Sequence, residues 1–361
     1  VGSLPRHRHP QLTGQLPVAA RATMGAMAHQ STPLAYASLD PQRVLEALDH
    51  LGLHGDGRLL QLNSYENRVF QVHLEDGEVV VAKFYRPGRW SDAQILEEHA
   101  FARELAAADV PVVAPRVLTC DDSRAVLLGE PPTLAYLQWD DGTHRVSVSD
   151  RHAGRGPELE DPQVLLWLGR FLGRLHAVGQ RRRFAHRLTL DVAAGHAARK
   201  QLLEGDFIPP AERGPWDRRC TEALALVEQS FAEAQPLRAL RLHGDFHPGN
   251  IMWRDEGPHV VDLDDACNGP AVQDLWMLLS GDSAAMRQQL ALLLEGYRVF
   301  VPFDERELAL VEPLRTLRMI RHSAWIAERW SDPAFPLAFP WFASAGHWSQ
   351  QATQLSEQID A

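Results

Sequence analysis

The nonapeptide LHGDFHPGN, Leu242–Asn250, brings several side chains that can do chemistry close together along the chain. Asp245 lies five residues before Asn250, and Asp262 follows 17 residues after Asp245, at the end of the apolar run HVVD. Transfer of a phosphoryl group from a nucleotide needs a base that orients the acceptor hydroxyl, oxygen ligands for magnesium and a cation on the phosphates. Asp245, Asn250 and Asp262 can together supply the base and the ligands. The spacing therefore favours phosphoryl transfer that depends on ATP and Mg²⁺, with the cation supplied by another segment.

Lys83 is the candidate for that cation. It ends the predicted strand VVVAK, the context in which a kinase lysine holds the α- and β-phosphates, although a lone lysine at a strand end is more often solvated. A lysine near phosphates needs a carboxylate to steer it, and the next predicted helix offers Glu97 and Glu98. Glu98 is favoured, because Phe101 and Leu105 share its helical face and would point it toward the sheet. Glu97 remains the alternative.

The elements around Lys83 are predicted to form a small sheet. DPQRVLEALDHLGL has apolar residues at helical spacing, and Asp40 can cap that helix. Two runs rich in β-branched and aromatic residues follow, joined by the turn signal Asp76-Gly77. DAQILEEHAFARELAAAD then returns to helical spacing. These patterns predict an antiparallel sheet with flanking helices.

The rest of the chain is predicted to be mainly helical. Residues 140–161 are polar and rich in glycine, which indicates a linker or long surface loop. Beyond them the apolar spacing is helical, apart from the short strand-like runs ALRLHG and HVVDLDD. We therefore predict an α+β, two-lobed fold, with a sheet lobe at 36–137, a helical lobe at 138–361, and a hinge at Leu137–Trp139 that reads adenine. Residues 1–35 have no hydrophobic period and are predicted to be a disordered leader, with Met24 or Met27 as an alternative start.

Composition excludes several classes of function. The formal net charge of −11 argues against nucleic acid or an anionic membrane as the main partner. The three cysteines show no CxxC spacing, which argues against a disulfide framework or a structural zinc site. No apolar run reaches the roughly 20 residues that a membrane span needs. We expect a cytoplasmic monomer that acts on a partner protein.

The order of these motifs resembles a known family. The strand lysine, the helix glutamate, HGDFHPGN and VDLDD look like the aminoglycoside phosphotransferase and choline kinase branch of the protein-kinase-like fold. Further blocks resemble a group of bacterial serine/threonine protein kinases linked to stress responses: NSYENRVFQ, AKFYRPGRW, ILEEH, LRLHGD, VVDLDDA, NGPAVQDLWMLL and DPAFP. These blocks span Asn63–Pro336, and their joint occurrence is specific.

The resemblance implies a role for each matched residue. It makes Asp245 the proton acceptor and makes Asn250 and Asp262 the magnesium ligands, with Asp262 also catalytic. The residues expected to contact ATP or to position those that do are Ser64, Lys83 and Glu98. Ser64 would lie over the phosphates in the turn NSYENR, which lacks the usual glycines, so the Ser64 and Asn67 side chains are expected to contribute.

Five nearby residues carry further expectations. His247 stands where many serine/threonine protein kinases have a lysine, so turnover or pH dependence is expected to differ. Asp264 is expected to hold a second magnesium or to accept backbone N–H groups. His243 is expected to order the loop, and Asp274 to brace it. His176, on an apolar helix, is expected to be a satisfied core histidine.

Four alternative functions remain open. His243, Asp245 and His247 can ligate a transition metal in a hydrolase, and Asp262 can be the nucleophile of an aspartyl-phosphate phosphatase. A kinase of small molecules would use the same fold, with a cationic substrate held by the acidic stretch 158–161. A non-catalytic ATP-binding regulator is the fourth, although such proteins commonly lack one of the motif residues that this chain retains.

Overall fold

A computed structural model describes residues 36, 39–120, 124–140 and 142–360. The predicted leader, residues 1–35, lies outside them. The helices are α1 Pro41–Asp49, α2 Asp92–Ala107, α3 Pro162–Gly179, α4 Val192–Glu204, α5 Pro210–Glu233, α6 Val272–Trp276, α7 Ser283–Tyr297, α8 Val311–Glu328, α9 Ala334–Ala338 and α10 Ala345–Ile359. The strands are β1 Gly55–Leu62, β2 Arg68–Leu74, β3 Val79–Phe84, β4 Ala125–Leu128, β5 Leu134–Trp139, β6 Gly142–Asp150, β7 Leu240–Leu242, β8 Ile251–Arg254, β9 Gly257–Val260 and β10 Cys267–Gly269.

The sheet lobe is one antiparallel sheet with the strand order β1-β2-β3-β6-β5-β4. The predicted turn between β2 and β3 is present, and Gly77 in it has a φ of +91°, a conformation that favours glycine. Asp40 caps α1 through a hydrogen bond from the Arg43 amide at 2.9 Å, as predicted. Val72, Val80 and similar side chains from alternate strand positions form the core under α1. The predicted α+β, two-lobed fold is therefore confirmed.

The predicted loop at residues 140–161 is wrong for its first half. Residues 142–150 form β6, which pairs with β3 on one side and with β5 on the other. In its sequence GTHRVSVSD valine and serine alternate over residues 146–149, and the buried Val146 and Val148 mark the core-facing positions. The sheet therefore extends past the lobe boundary expected at residue 137.

The hinge expected at Leu137–Trp139 is also wrong. These residues belong to β5, whose backbone pairs with β6 through Leu137↔His144 and Trp139↔Gly142. The connection to the helical lobe comes later, between the end of β6 and the start of α3 at Pro162. Within it, Arg155 pairs with Trp253 of the β8–β9 hairpin, which fixes the connection against the helical lobe.

The helical lobe is built on the close pair α3 and α7. Gly169 and Gly173 of α3 lie against the carbonyls of Leu293 and Tyr297, so near that a Cβ on either glycine would overlap the neighbouring backbone. Phe101 and Leu105 of α2, expected to face the sheet, instead pack into the core of this lobe, and Phe101 meets Phe184 edge-on at 5.4 Å. Helix α2 therefore joins the two lobes.

No helix among the described residues is long and apolar enough to cross a membrane.

Candidate active site

Asp274 anchors the loop His243–Asn250, here called the Asp245 loop. Its carboxylate is completely buried and accepts backbone N–H groups from His243 on Oδ2 and from Gly244 on Oδ1, both at 2.8 Å. The His176 ring lies 3.0 Å from the same Oδ2 and 3.0 Å from the Tyr297 hydroxyl. The prediction that His176 is a satisfied core histidine is therefore confirmed, and its partner is the aspartate that holds the loop.

His243 orders the loop from inside. Its Nδ1 accepts the Asp245 amide at 3.3 Å, and its Nε2 lies 3.0 Å from the carbonyl oxygen of Val261. With Nδ1 accepting, Nε2 carries the hydrogen and donates it to that carbonyl. Both ring nitrogens are thus engaged, so neither is left to bind a metal ion. This arrangement argues against the metal-hydrolase alternative.

Asp245 lies between two basic side chains. Its Oδ1 accepts a hydrogen bond from Arg318 Nη1 at 2.6 Å, and its Oδ2 lies 3.3 Å from His247 Nε2. Burial disfavours the charged carboxylate, but His247 and Arg318 outweigh that effect and hold the pKa of Asp245 well below its usual range. The carboxylate is therefore ionised at neutral pH, as a proton acceptor must be.

Asn250 and Asp262 meet at one end of the β8–β9 hairpin. Ile251 pairs with Val260, and the Val261 amide donates to the Asn250 carbonyl at 3.1 Å, so the residues that flank the two strands lie side by side. Asp262 has a φ of +61°, in the left-handed region that few non-glycine residues adopt, aspartate and asparagine more often than others. Its side chain is 56% exposed.

This pair has the oxygen donors that Mg²⁺ prefers. Asn250 donates its Nδ2 to the Asp245 carbonyl at 3.0 Å, which leaves its Oδ1 without a hydrogen bond in the described part of the chain. Asp262 adds a carboxylate. Mg²⁺ is commonly held by one or two such protein ligands together with phosphate oxygens and water. The residues present therefore fit the predicted metal.

Lys83 reaches the same region from the sheet lobe. Its Nζ lies 2.8 Å from Asp264 Oδ1 and 3.5 Å from Asp262 Oδ1, so β3 and the VVDLDD segment meet across the two lobes. Burial disfavours the ammonium, but the nearby Asp264 carboxylate outweighs this and raises the pKa of Lys83 well above its usual value. Lys83 is therefore a fixed cation beside the predicted metal ligands.

Asp264 binds cations from the protein itself. It is 3% exposed and lies 2.8 Å from both Lys83 Nζ and Arg89 Nη1, while Asn67 Nδ2 donates to it at 3.3 Å. These donors are side chains and not the backbone N–H groups that one expectation named. A second magnesium on Asp264 would have to displace Lys83 and Arg89, which makes that role unfavourable.

The structure separates the two glutamates considered as partners of Lys83. Glu97 accepts the backbone N–H groups of Ala185, His186 and Arg187 at 2.6–3.0 Å, so it holds a loop of the helical lobe. Glu98 is buried near Lys83 without a direct ion pair, and burial raises its pKa to about 7 although Lys83 opposes the shift. Glu98 therefore remains the glutamate predicted to steer Lys83, but the direct ion pair of Lys83 is with Asp264.

The turn between β1 and β2 is tied to the site by side chains. Ser64 Oγ accepts the Asn67 amide at 3.2 Å, which closes the turn. Asn67 is buried and reaches Asp264, as described, and its Oδ1 accepts the Arg86 amide at 3.1 Å. Glu66 lies 2.6 Å from Arg329, the residue after α8, across the lobe boundary. A turn without glycine is thus fixed by specific side-chain contacts at both ends.

Three arginines complete the site, and no sequence pattern gave them a role. Arg318 contacts Asp245, and Arg89 lies 2.6 Å from Asp265 in addition to its contact with Asp264. Arg187 is 3% exposed and donates to the backbone carbonyls of Asp264 and Ala266. Arg89 lies in the block AKFYRPGRW, which carries the family resemblance but does not indicate its partners, whereas Arg187 and Arg318 lie in segments with no motif of their own.

Comparisons with known proteins identify the family of the chain. The model of the phosphotransferase enzyme family matches residues 58–311. Stress response kinase A of Escherichia coli (strain K12) is 42% identical over 324 residues, covering 90% of this chain and 93% of that protein. Serine/threonine protein kinase RdoA of Salmonella typhimurium (strain LT2) is 41% identical over the same shares.

A solved structure shares the fold at lower identity. Amicoumacin kinase hAmiN, in complex with AMP-PNP, Ca²⁺ and Ami, superposes with a TM-score of 0.66 at 18% identity, covering 89% of this chain and 93% of that one. The site geometry, the matched family model and the long alignments to kinases lead to one conclusion. The chain belongs to the phosphotransferase enzyme family and is a relative of the stress response kinase A proteins.

Proposed function

We propose that this phosphotransferase is a serine/threonine protein kinase that uses ATP and Mg²⁺. The observation that carries the proposal is the loop that holds Asp245 against Asn250, with Lys83 of the other lobe reaching Asp262. The relatives at 41–42% identity support the acceptor class, since one of them is named a serine/threonine protein kinase.

In this proposal each residue acts through the contacts described above. Asp245 accepts the proton of a serine or threonine hydroxyl, and Lys83 holds the α- and β-phosphates. Asn250 and Asp262 hold Mg²⁺, which when bound neutralises charge on the phosphate oxygens. Ser64 and Asn67 close the β1–β2 turn over the phosphates.

The corrected fold changes where we expect adenine. Backbone groups of β5 are used in the sheet, so the base is expected beside the connection that begins at Arg151. An extended connection between two lobes has free backbone groups on the side that faces a ligand, and these can read the edge of a base.

A kinase of small molecules is the second candidate, because amicoumacin kinase shares the fold. Two of the three acids in the stretch that would have suited a cationic substrate have other partners: Asp161 caps α3 through the Gln163 amide at 2.8 Å, and Glu158 pairs with Arg155 at 3.2 Å. The side chain that meets Asp245 from α8 is instead the basic Arg318. This charge is unfavourable for a cationic acceptor and suits a neutral hydroxyl or an acidic flank.

We also propose a biological role, a compartment and an oligomeric state for the enzyme. We propose a role in a bacterial stress response on the strength of the relatives' names. The cysteines Cys120, Cys220 and Cys267 are free thiols, which supports a reducing compartment such as the cytoplasm. We propose a monomer that binds protein substrates and neither nucleic acid nor membrane.

The test measures transfer of labelled γ-phosphate from ATP with Mg²⁺ by the wild type, by Asp245→Asn and by the control Asp282→Asn. Asp282 is an exposed helix cap in the same lobe, and asparagine caps helices equally well. We expect label on protein serine or threonine from the wild type and the control, and a loss of roughly 10²–10⁴-fold in Asp245→Asn with ATP binding retained.

Other outcomes contradict parts of the proposal. Label on amino alcohols or aminoglycosides alone would move the assignment to the second candidate. ATP binding without transfer to any acceptor would favour a non-catalytic regulator, and full activity of Asp245→Asn would refute its role as proton acceptor.

A further inference from the structure

Arg318 holds a position next to the proposed base that the motifs do not explain. It lies on α8, and its Nη1 donates to Asp245 Oδ1 at 2.6 Å. Its side chain is 43% exposed, and its Nε and Nη2 make no hydrogen bond to any residue that the structure describes. The family model ends at residue 311, before Arg318. A guanidinium with unused donors therefore faces the open side of the site.

The Asp245 loop itself has no permanent cation. His243–Asn250 contains neither lysine nor arginine, and the His247 ring is turned so that its Nδ1 accepts the Gly249 amide at 3.0 Å. Lys83 is held by Asp264, on the side predicted for the α- and β-phosphates. A cation that lies between Asp245 and the γ-phosphate must therefore come from outside the Asp245 loop.

The distances put Arg318 within reach of that position. A hydroxyl that gives its proton to Asp245 must lie within about 3 Å of the carboxylate. Since Nη1 is 2.6 Å from the same carboxylate, the acceptor oxygen lies within about 6 Å of the guanidinium, and the transferring phosphoryl group lies in line with that oxygen. A planar guanidinium fork matches two phosphate oxygens.

We propose that Arg318 contacts the transferring phosphoryl group and neutralises its charge. In the step, the acceptor oxygen forms a bond to the γ-phosphorus, the bond from that phosphorus to the bridging oxygen breaks, and ADP leaves with that oxygen. The hydroxyl proton passes to Asp245. The inference rests on the proposed use of ATP as phosphoryl donor and is independent of the acceptor's identity.

The test measures binding of ADP with Mg²⁺ in the presence and absence of aluminium fluoride, which mimics the transferring group. We compare the wild type, Arg318→Gln, Arg318→Lys and the control Arg315→Gln. Arg315 lies one turn earlier on α8 and pairs with Glu312 at 2.9 Å over the Trp276 ring. For Arg318→Gln we expect affinity for the aluminium fluoride complex to fall roughly 100-fold with ADP affinity unchanged. Arg318→Lys should lose less, and Arg315→Gln nothing.

Phosphoryl transfer gives a second readout. In Arg318→Gln the value of kcat should fall by a similar factor while KM for ATP stays constant, and added guanidinium should restore part of the rate. Equal loss of ADP and aluminium fluoride binding would indicate a structural role and overturn the proposal. Unchanged affinity of Arg318→Gln for the aluminium fluoride complex would also overturn the proposal. So would faster phosphoryl transfer by Arg318→Gln, because Arg318 would then merely block the base.

The binding assay contains no acceptor, so it separates this inference from the proposed protein kinase activity. If the wild type phosphorylates only small molecules, the proposed function fails while the contrast between Arg318→Gln and Arg315→Gln still decides the role of Arg318.

Discussion

Replacing Asp274 with asparagine tests how the Asp245 loop is held. The carboxylate accepts two backbone N–H groups on two different oxygens, His243 on Oδ2 and Gly244 on Oδ1, each at 2.8 Å. Asparagine has one oxygen and one NH₂ group. Whichever way the amide turns, its NH₂ faces one of these backbone donors, so Asp274→Asn sets donor against donor in a completely buried site.

The expected loss of stability in Asp274→Asn follows from the hydrogen bonds that the substitution removes. One charge-assisted hydrogen bond disappears, worth about 1.5–3 kcal/mol, and one buried N–H is left unpaired at about 1–3 kcal/mol. The His176 contact on Oδ2 limits which way the amide can turn. We therefore expect Asp274→Asn to lower the free energy of unfolding by about 3–5 kcal/mol.

Asp282→Asn is a matched control for this substitution. Asp282 also accepts two backbone N–H groups, from Ala284 at 3.0 Å and Ala285 at 2.9 Å, but both reach the same Oδ1. An asparagine oxygen can keep both bonds, so the same chemical change should cost less than about 0.5 kcal/mol at this exposed cap.

The assay is urea unfolding followed by tryptophan fluorescence, with amide hydrogen exchange of the loop as a local readout. In Asp274→Asn the amides of His243 and Gly244 should exchange faster than in the wild type. A free energy of unfolding within about 1 kcal/mol of the wild type would refute the argument from two separate oxygens.

Two further predictions concern stability. Burial raises the pKa of Glu307 from 4.5 to about 7, although its Oε2 accepts the Val272 amide at 2.9 Å, so the folded protein keeps a proton that the unfolded chain has lost. This stabilisation is complete below the unfolded pKa and is lost as pH rises through about 7. The free energy of unfolding, measured between pH 4 and 8, should therefore fall by up to about 3 kcal/mol less in Glu307→Gln than in the wild type. Gly169→Ala should drive a Cβ into the Leu293 carbonyl and lower the melting temperature. The control Gly346→Ala, whose Cβ would meet nothing within 4 Å, should raise or preserve the melting temperature. Equal effects of the two substitutions would contradict the close packing of α3 on α7.

The sequence predicted those elements whose local pattern agrees with their environment. Helix α3 lies in the region predicted to be helical, and its buried residues recur at helical spacing after the cap Asp161. Strand β6 was missed because its serine, threonine and histidine residues read as a polar loop, and only pairing with β3 and β5 makes a strand of them. The alanine-rich sequence of α4 has few large apolar residues to set a period, so its bounds could not be predicted.

The proximity of the candidate residues could be predicted where their motifs are local. Asp245 and Asn250 are held in one tight loop, and Asp262 follows just after the β8–β9 hairpin, so their spacing in sequence reflects their spacing in space. The partner of Lys83 could not be read in the same way. Glu98 was expected from helical periodicity, but the direct ion pair goes to Asp264, whose position depends on how the two lobes meet.

The residues that the sequence did not reveal share one physical cause. Buried carboxylates remain ionised where cations or N–H donors stabilise them, and two near the motifs receive cations from distant segments: Asp245 from Arg318, and Asp264 from Lys83 and Arg89. A motif can specify which carboxylates a reaction needs, because their mutual geometry is set by a few residues of chain. The cations have a weaker local constraint, since an arginine side chain on any neighbouring element can reach the same oxygen. Conversely, a buried carboxylate needs either N–H donors, as at Asp274, or a cation, and the second case locates residues such as Arg318 that no motif contains.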